Sequence, residues 1–595
     1  MSPPVRWNDV SKATNFWGTI RRLFDYIGKY RYRVVLGVVT SLIYSVLILI
    51  APQYLGRASD ILADGISLGS IDMGAVTDAL LIVFGIYVVA AVFKAITRYF
   101  TPTASELNAN IVRKDLSSKI KRIPLNILDR MKIGDVMSRF TNDSDVIRCN
   151  SADSLEMFAT SVVMIVGATV MMLITDWRMT IVAMLPILCG LGCMSLIVRK
   201  SQKYFKMQAR DTGTINTIVE ESYNGIDIIN SYNARGQTRD RFRKVNKELY
   251  RSSLRATFIT DLMPSLMGFI NNLSYLLVCV VGAMFIIDGS ISYGVIVAFI
   301  VYVREIAQPL ERLPNALSNM QNMVASAERI FEFLDTAEID DESEKKSVDD
   351  SVKGEIVFDH VHFSYVPGKE IVHDLDLTVK PGQKIAIVGP TGSGKTTIAN
   401  LLLRFYDLDS GTIALDGTDL KEIKRDQVRE TFCMVLQDSW IMQGTVKENI
   451  RFNRKDVSDE DVMKACKAVG IDRFIDTLPN GYDTVIGGKL TLSSGQKQQI
   501  NIARALVRDS PVLILDEATS SVDTRTEKLI QEAMDHLMKD RTSFVIAHRL
   551  STIVGADLII VLRDGNIVEM GTHEELLDFN GFYRQLYDSQ FEACE

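Results

Sequence analysis

Nine residues, Gly389-Pro390-Thr391-Gly392-Ser393-Gly394-Lys395-Thr396-Thr397, stand between the apolar run Ile385-Ala386-Ile387-Val388 and the stretch Ile398-Ala399-Asn400-Leu401-Leu402-Leu403. The order predicts a strand, a glycine-rich loop and a helix. Glycines let successive backbone N–H groups turn toward one anion, and the helix N-terminus adds its positive end. Lys395 reaches the β- and γ-phosphates of a nucleoside triphosphate, and the Thr396 hydroxyl holds Mg²⁺. The full pattern G-x-x-x-x-G-K-T in this context is far more specific than a lone glycine loop.

A second apolar run, Val512-Leu513-Ile514-Leu515, ends in Asp516-Glu517. A buried strand delivers two carboxylates to a sheet edge in this way: Asp516 is placed to hold the Mg²⁺ shell and Glu517 to polarise an attacking water. Between the two runs, Leu492-Ser493-Ser494-Gly495-Gln496 enters a stretch of helical pattern, Lys497 to Leu506. A turn of small residues at a helix start offers backbone N–H groups and a hydroxyl to a phosphate.

These groups need a scaffold, and the composition predicts two kinds. The 595 residues are 47% apolar, with a mean hydropathy of +0.11. Stretches poor in charge lie at 34–55, 79–97, 157–175, 179–198, 266–287 and 292–312. Each is near the roughly 20 residues that cross about 30 Å of hydrocarbon, so six membrane helices are expected. Residues 56–78 hold Arg57 against Asp60, Asp64, Asp72 and Asp78, whereas 98–148 and 199–255 are rich in Lys and Arg. That asymmetry places the long loops and both termini in the cytoplasm of a multi-pass plasma-membrane protein. The start Ile20-Arg21-Arg22-Leu23-Phe24-Asp25-Tyr26-Ile27 fits an amphipathic helix along the inner leaflet, and no cleavable signal is expected.

The phosphate loop, the LSSGQ turn, the Asp-Glu strand end and His548 occur in the order of an ATP-binding cassette, and residues 354–595 resemble an ABC transporter nucleotide-binding domain. The loops near 128–145 and 220–229 resemble the long intracellular loops of ABC exporters, which carry coupling helices. The likeness implies an α-helical six-span transmembrane domain (1–335), a linker (336–353) and an α/β P-loop cassette (354–595). By resemblance, Tyr365 stacks on adenine and Gln437 senses Mg²⁺. Ser520-Ser521-Val522-Asp523 communicates across a dimer, and His548 contacts the γ-phosphate. Gly389 through Thr397 of one chain and Ser493, Ser494, Gly495 and Gln496 of a partner would enclose each ATP. With no internal repeat, the chain resembles one half of a type IV exporter that needs a second half-transporter. Ser494 replaces the usual signature glycine while Glu517 is intact, which favours a heterodimer over a homodimer. The implied activity is ATP-driven export of a small hydrophobic or amphipathic substrate, whether drug, lipid or peptide. An exporter-fold importer of the siderophore-uptake type is the alternative, and a soluble cassette ATPase would lack the spans.

Five weaker signals complete the reading. A net charge of −7 and a pI near 5.6 speak against nucleic acid as a partner. The seven cysteines form no C-x-x-C pair, as expected of free thiols. The acidic segment 340–347 is expected to be solvated linker. Arg304 and Glu305 fall about twelve residues into the sixth span, a depth at which charges tend to face a cavity or one another; Arg304 is expected either to line the path or to pair within the bundle with an acid of the partner chain. Methionine-bearing stretches of the third span (162–165 and 171–173) read as core or lipid face.

Overall fold

The structure is a computed structural model, which describes residues 15–348, 352–436, 440–452, 454, 456–487, 490, 492–516, 524–546 and 550–590. It divides into two units, one of residues 1–121 and 132–336, the other of 122–131 and 337–595.

The first unit is helical. Among the described residues, helix α1 (Phe16–Tyr26) precedes six helices long and apolar enough to cross a membrane: α2 (Arg31–Leu68), α3 (Met73–Ile120), and, after the short α4 (Leu125–Leu128) and α5 (Ile133–Ser138), α6 (Ser144–Thr175) and α7 (Trp177–Asn224); then, after α8 (Ile226–Ser231), α9 (Arg235–Ile287) and α10 (Tyr293–Leu334). The hydropathic stretches are only the middles of these rods. A helix such as α9, of 53 residues, is roughly 80 Å long at about 1.5 Å per residue, far beyond the hydrocarbon. Polar residues continue the helix past the membrane, and it runs through an internal proline, Pro264, which removes one bond of the backbone ladder without ending the rod.

Short polar devices hold the helix ends. Asp176 turns the chain between α6 and α7 by accepting hydrogen bonds from the N–H groups of Arg178 (2.8 Å) and Met179 (2.9 Å). Asp60 of α2 caps α10, accepting from Gly294 N (2.6 Å) and Ser292 Oγ (2.9 Å). That contact requires glycines, because a Cβ on Gly294 would stand 2.2 Å from the Gly56 carbonyl oxygen. The core of this unit includes Met164, Met172, Phe299 and Tyr302, whose hydroxyl donates to Leu49 O at 3.1 Å. Val162 and Leu173 are exposed, so one methionine-bearing stretch supplies both core and outer face. In α1, Arg22 makes a two-pronged contact with Asp335 (2.7 and 2.6 Å) and covers the Phe331 ring. The amphipathic start is therefore tied to the far end of α10.

The second unit is α/β. An antiparallel sheet of order β2-β1-β4-β5 contains β1 (Ile356–Val366), β2 (Lys369–Val379), β4 (Ser410–Leu415) and β5 (Thr418–Asp419). A six-stranded sheet, order β12-β11-β3-β10-β9-β6, comprises β3 (Lys384–Val388), β6 (Phe432–Val435), β9 (Val512–Asp516), β10 (Thr542–Ile546), β11 (Leu558–Arg563) and β12 (Asn566–Gly571). All neighbours but β11 and β12 run parallel. Its parallel strands β3, β6, β9, β10 and β11 are buried on both faces, hence their continuous apolar runs, whereas the antiparallel edge strand β12 is largely exposed. Ile385 and Ile387 join the core beneath the antiparallel sheet, while Ala386 and Val388 face the core beneath the helices. Those helices are α13 (Val446–Arg451), α14 (Asp459–Ala468), α15 (Asp472–Asp476), α16 (Ser494–Arg508), α17 (Thr524–Met538), α18 (Leu550–Val554), α19 (His573–Phe579) and α20 (Phe582–Gln590), with the small ribbon β7 (Gly444–Thr445) and β8 (Val485–Ile486), while α11 (Lys395–Leu402) and α12 (Arg425–Thr431) pack into the first core with Ile385 and Ile387.

The acidic segment after α10 is not simply solvated. Glu342 accepts the Arg425 backbone N–H at 2.7 Å and stands 3.0 Å from the Arg404 guanidinium, 3.2 Å from that of Arg425 and 2.9 Å from Lys345. A buried arginine, Arg404, and the half-buried Arg425 need a counter-charge, and a residue that composition assigned to solvent supplies it.

Candidate nucleotide site

The chain leaves β3 at Val388 and enters α11 at Lys395. Gly389, Gly392 and Gly394 have φ of +154°, +86° and +101°. A Cβ on Gly389 would meet Leu562 O at 2.3 Å, so the loop can lie against β11 only with glycine there. Pro390, Thr391 and Thr396 are exposed; Ser393, Lys395 and Thr397 are buried. The Ser393 hydroxyl is buried with no hydrogen-bond partner among the described residues, an orphan donor at the place where a phosphate oxygen is expected. Lys395 donates to the carbonyls of Gly389 (2.7 Å) and Pro390 (2.9 Å). Burial lowers its pKa, and the charge of Asp516 works the other way.

Asp516 is the last residue of β9, paired with Ile546 of β10, and Ile546 in turn pairs with Ile387 of β3. Three neighbouring parallel strands thus end together, with the phosphate loop leaving one and the carboxylate capping another. The expected site of an open α/β sheet lies at such carboxyl ends. On α16, Ser493 is the N-cap: its hydroxyl accepts from Gln496 N (3.2 Å) and Gln496 Oε1 accepts from Ser493 N (2.9 Å). Gly495 is buried, and Ser494 is exposed in the first helical position, where its side chain is free of the packing. Tyr365 is brought to the loop, its hydroxyl donating to Thr397 Oγ1 (3.3 Å) and accepting from Asn400 Nδ2 (3.2 Å).

Residues 34–310 match the family profile of the ABC transporter transmembrane region, and residues 372–520 match that of the ABC transporter ATP-binding domain. A fatty acid ABC transporter ATP-binding/permease protein of Mycobacterium tuberculosis is 37% identical over 98% of both chains. An uncharacterized ABC transporter ATP-binding protein of Bacillus subtilis, YfiC, is 38% identical over 98% of this chain and 96% of its own. The chain belongs to the ABC transporter family. A probable multidrug resistance ABC transporter ATP-binding/permease protein of B. subtilis, YheH, is 35% identical, over 84% of this transporter and 75% of its own length. The six membrane-length helices and the cassette on one chain are those of an exporter of this family, a multi-pass membrane protein that binds ATP and couples its hydrolysis to transport.

Of the residues singled out in the transporter's sequence, Gln437, Glu517, Ser520 to Asp523 and His548 lie outside the described residues. The loop contact falls at the start of the segment read from the sequence. Residues 122–131 belong to the cassette unit, overlapping the expected 128–145 only in part. There Arg130 donates to Tyr365 O at 3.1 Å and Asp129 accepts the Tyr406 hydroxyl. A cleft of about 390 Å³ opens among Asn126, Arg130, Tyr365, Tyr406 and Asp407. Tyr365 and Tyr406 meet edge to face, with centroids 5.0 Å apart. Asp129, Arg130 and Tyr406 carried no signal as a group, since Arg130 and Tyr365 are 235 residues apart. Arg504 was also missed. It donates to Asn449 O (2.6 Å), Asn449 Oδ1 (2.8 Å) and Trp440 O (2.7 Å), anchoring the helix that begins with the signature turn.

Proposed function

We propose that this transporter exports a hydrophobic or amphipathic substrate, a drug, lipid or peptide, across the plasma membrane as one half of a heterodimer, with both termini in the cytoplasm. The observation that carries the reading is the meeting of the Lys395 loop and Asp516 at adjoining strand ends of a chain with six membrane-length helices. The relatives named for fatty acids and for multidrug resistance support an amphipathic cargo. Tyr223, Ile226, Ile228 and Tyr232, around α8, are 49–82% exposed. So apolar a tip fits a docking element for the partner's cassette.

Within the site, Lys395 exchanges its two loop carbonyls for phosphate oxygens, and Ser393 and the loop N–H groups hold the same anion. Tyr365 stacks on adenine. Thr396, Gln437 and Asp516 would hold Mg²⁺, whose oxygen-donor preference they match and which, when bound, neutralises phosphate charge. Glu517 polarises the attacking water and His548 contacts the γ-phosphate. Ser493, Ser494, Gly495 and Gln496 close over the partner's nucleotide at the N-terminus of α16. The contacts of Asp129 and Arg130 beside Tyr365 link nucleotide occupancy to the loop.

The test is reconstitution with the partner half-transporter in liposomes, with ATPase stimulation screened over fatty acids, phospholipids and cationic drugs and the direction of transport read in inside-out vesicles. A Glu517→Gln chain is expected to bind ATP and lose hydrolysis at its site. Full activity of the purified chain as a homodimer refutes the heterodimer, and uptake in place of export refutes the direction.

A further inference from the structure

Away from the nucleotide, the solvent face of the β1–β2 hairpin concentrates metal-binding chemistry. Of six histidines in the whole chain, His360, His362 and His373 lie within fourteen residues, among Asp359, Glu370, Asp374 and Asp376. Regular strands would alternate these side chains between the faces, but both strands are irregular here. The β1–β2 register shifts between Phe358 and Val361, and His360 and Asp374 have φ of +47° and +45°. As a result Asp359 and His360, consecutive in sequence, are both exposed. Bulges re-aim side chains in this way, and positive φ in residues other than glycine is uncommon.

The doubled exposure assembles a cluster. Ligand atoms of Asp359, His360 and Asp376 lie within 4.8 Å of one another. His360 Nδ1 is 2.6 Å from Asp374 Oδ1 and 3.4 Å from Asp376 Oδ2, and the His360 backbone N–H fixes the other Asp376 oxygen at 2.9 Å. His362 Nε2 is 3.8 Å from the same Asp374 oxygen. On its other side Glu370 bridges His362 (2.6 Å) and His373 (3.1 Å). Solvent reaches all of these groups, so water can complete a coordination shell.

We infer that this hairpin is a binding site for one divalent transition-metal ion of the Zn²⁺ class, held by His360, Asp376 and Asp359, with Asp374 and His362 beside them. An imidazole in the ligand set selects such ions over Mg²⁺, which takes oxygen donors and gives up water reluctantly. The site is separate from the magnesium expected with ATP. It ties β1 to β2 on the strand that carries Tyr365.

The experiment uses the full-length protein in detergent, purified without a polyhistidine tag and stripped of metal by chelation. Titration with Zn²⁺ is followed by calorimetry and by thermal unfolding, in the presence of excess Mg²⁺. One saturable equivalent per chain and a zinc-dependent rise in melting temperature are expected. Both should fall at least tenfold in zinc affinity in His360→Ala and in Asp376→Asn, and stay unchanged in His536→Ala, a change at an exposed histidine on α17. Cobalt(II) substitution should give a visible ligand-field spectrum that disappears in His360→Ala. Equal zinc binding by wild type and His360→Ala, or displacement of zinc by millimolar Mg²⁺, overturns the assignment. Unaltered melting of the variants without metal excludes misfolding as the cause of a loss.

Discussion

Removing the Glu342 carboxylate tests whether the segment after α10 is a working part of the cassette. Its side chain is 12% exposed, against 6% for Arg404 and 13% for Arg425. Breaking a buried ion pair by deleting one partner costs about 3–5 kcal/mol. Here the stranded cations keep other partners: Arg404 donates to the carbonyls of Leu420 (3.1 Å) and Ile423 (2.6 Å), and Arg425 keeps Asp407 at 2.7 Å. The cost of Glu342→Ala should therefore fall to roughly 2–3 kcal/mol. For a unit of this size that is a fall of roughly 5–10 °C in cassette melting temperature. Glu344→Ala, a change at an exposed neighbour, should stay within about 0.5 kcal/mol of wild type.

The acid limb supplies a second, independent reading. Burial acts to raise the pKa of Glu342, but the Arg425 N–H, Lys345 and the guanidinia of Arg404 and Arg425 together hold it below the usual carboxylate range. A depressed folded pKa contributes stability that is fully present above the unfolded value of about 4.3 and is lost as pH falls through the folded value. The gap between wild type and Glu342→Gln should be widest near neutrality and narrow as pH drops below about 4.3. Differential scanning fluorimetry of the full-length protein between pH 7 and pH 3 measures both. A Glu342→Ala protein melting within a degree of wild type at pH 7, or a gap that does not close in acid, would refute the reasoning.

Replacing Ser493 with Ala removes the α16 capping box and should cost about 1 kcal/mol of cassette stability; ATP binding to the isolated chain should persist while the assembled dimer loses turnover, as a nucleotide-binding assay beside an ATPase assay would show. Arg504→Met leaves the two oxygens of buried Asn449 without this donor, at about 1–3 kcal/mol by the cost of a stranded buried acceptor, while the exposed Trp440 carbonyl turns to water; Arg504→Lys should restore only part, since one ammonium cannot reproduce the fork, and a melting series of the two variants checks this. Burial pushes the Cys466 thiol up to about 12 and raises that of Cys433, so maleimide should modify exposed Cys149 in the native protein and reach the two buried thiols only after denaturant, as mass spectrometry of the labelled peptides would report.

What was legible in the sequence was local chemistry. A phosphate loop works through nine consecutive residues, so its type and place could be read before any fold, and the positive φ of Gly389, Gly392 and Gly394 are what that reading demands. The apolar spans were legible because hydrocarbon sets their length. Their ends were not: the membrane fixes only the middle of a helix, and α3, α7 and α9 run on past it, each through an internal proline (Pro102, Pro186 and Pro264).

The remaining features depend on partners distant in sequence. Glu342 reads as solvent-seeking until Arg404 and Arg425 are placed beside it. The loop was read over 128–145 and its contact narrows to Asp129 and Arg130, because the groups that decide it, the Tyr365 carbonyl and the Tyr406 hydroxyl, lie on the antiparallel sheet and beyond the phosphate-loop helix. Local pattern names the loop without naming its address. The Tyr365 contacts make the consequence concrete. One aromatic side chain is bonded through its hydroxyl to Thr397 and Asn400 of the phosphate-loop helix, and through its backbone carbonyl to Arg130. The two ends of one residue therefore hold the phosphate-loop helix and the 122–131 segment to the same strand.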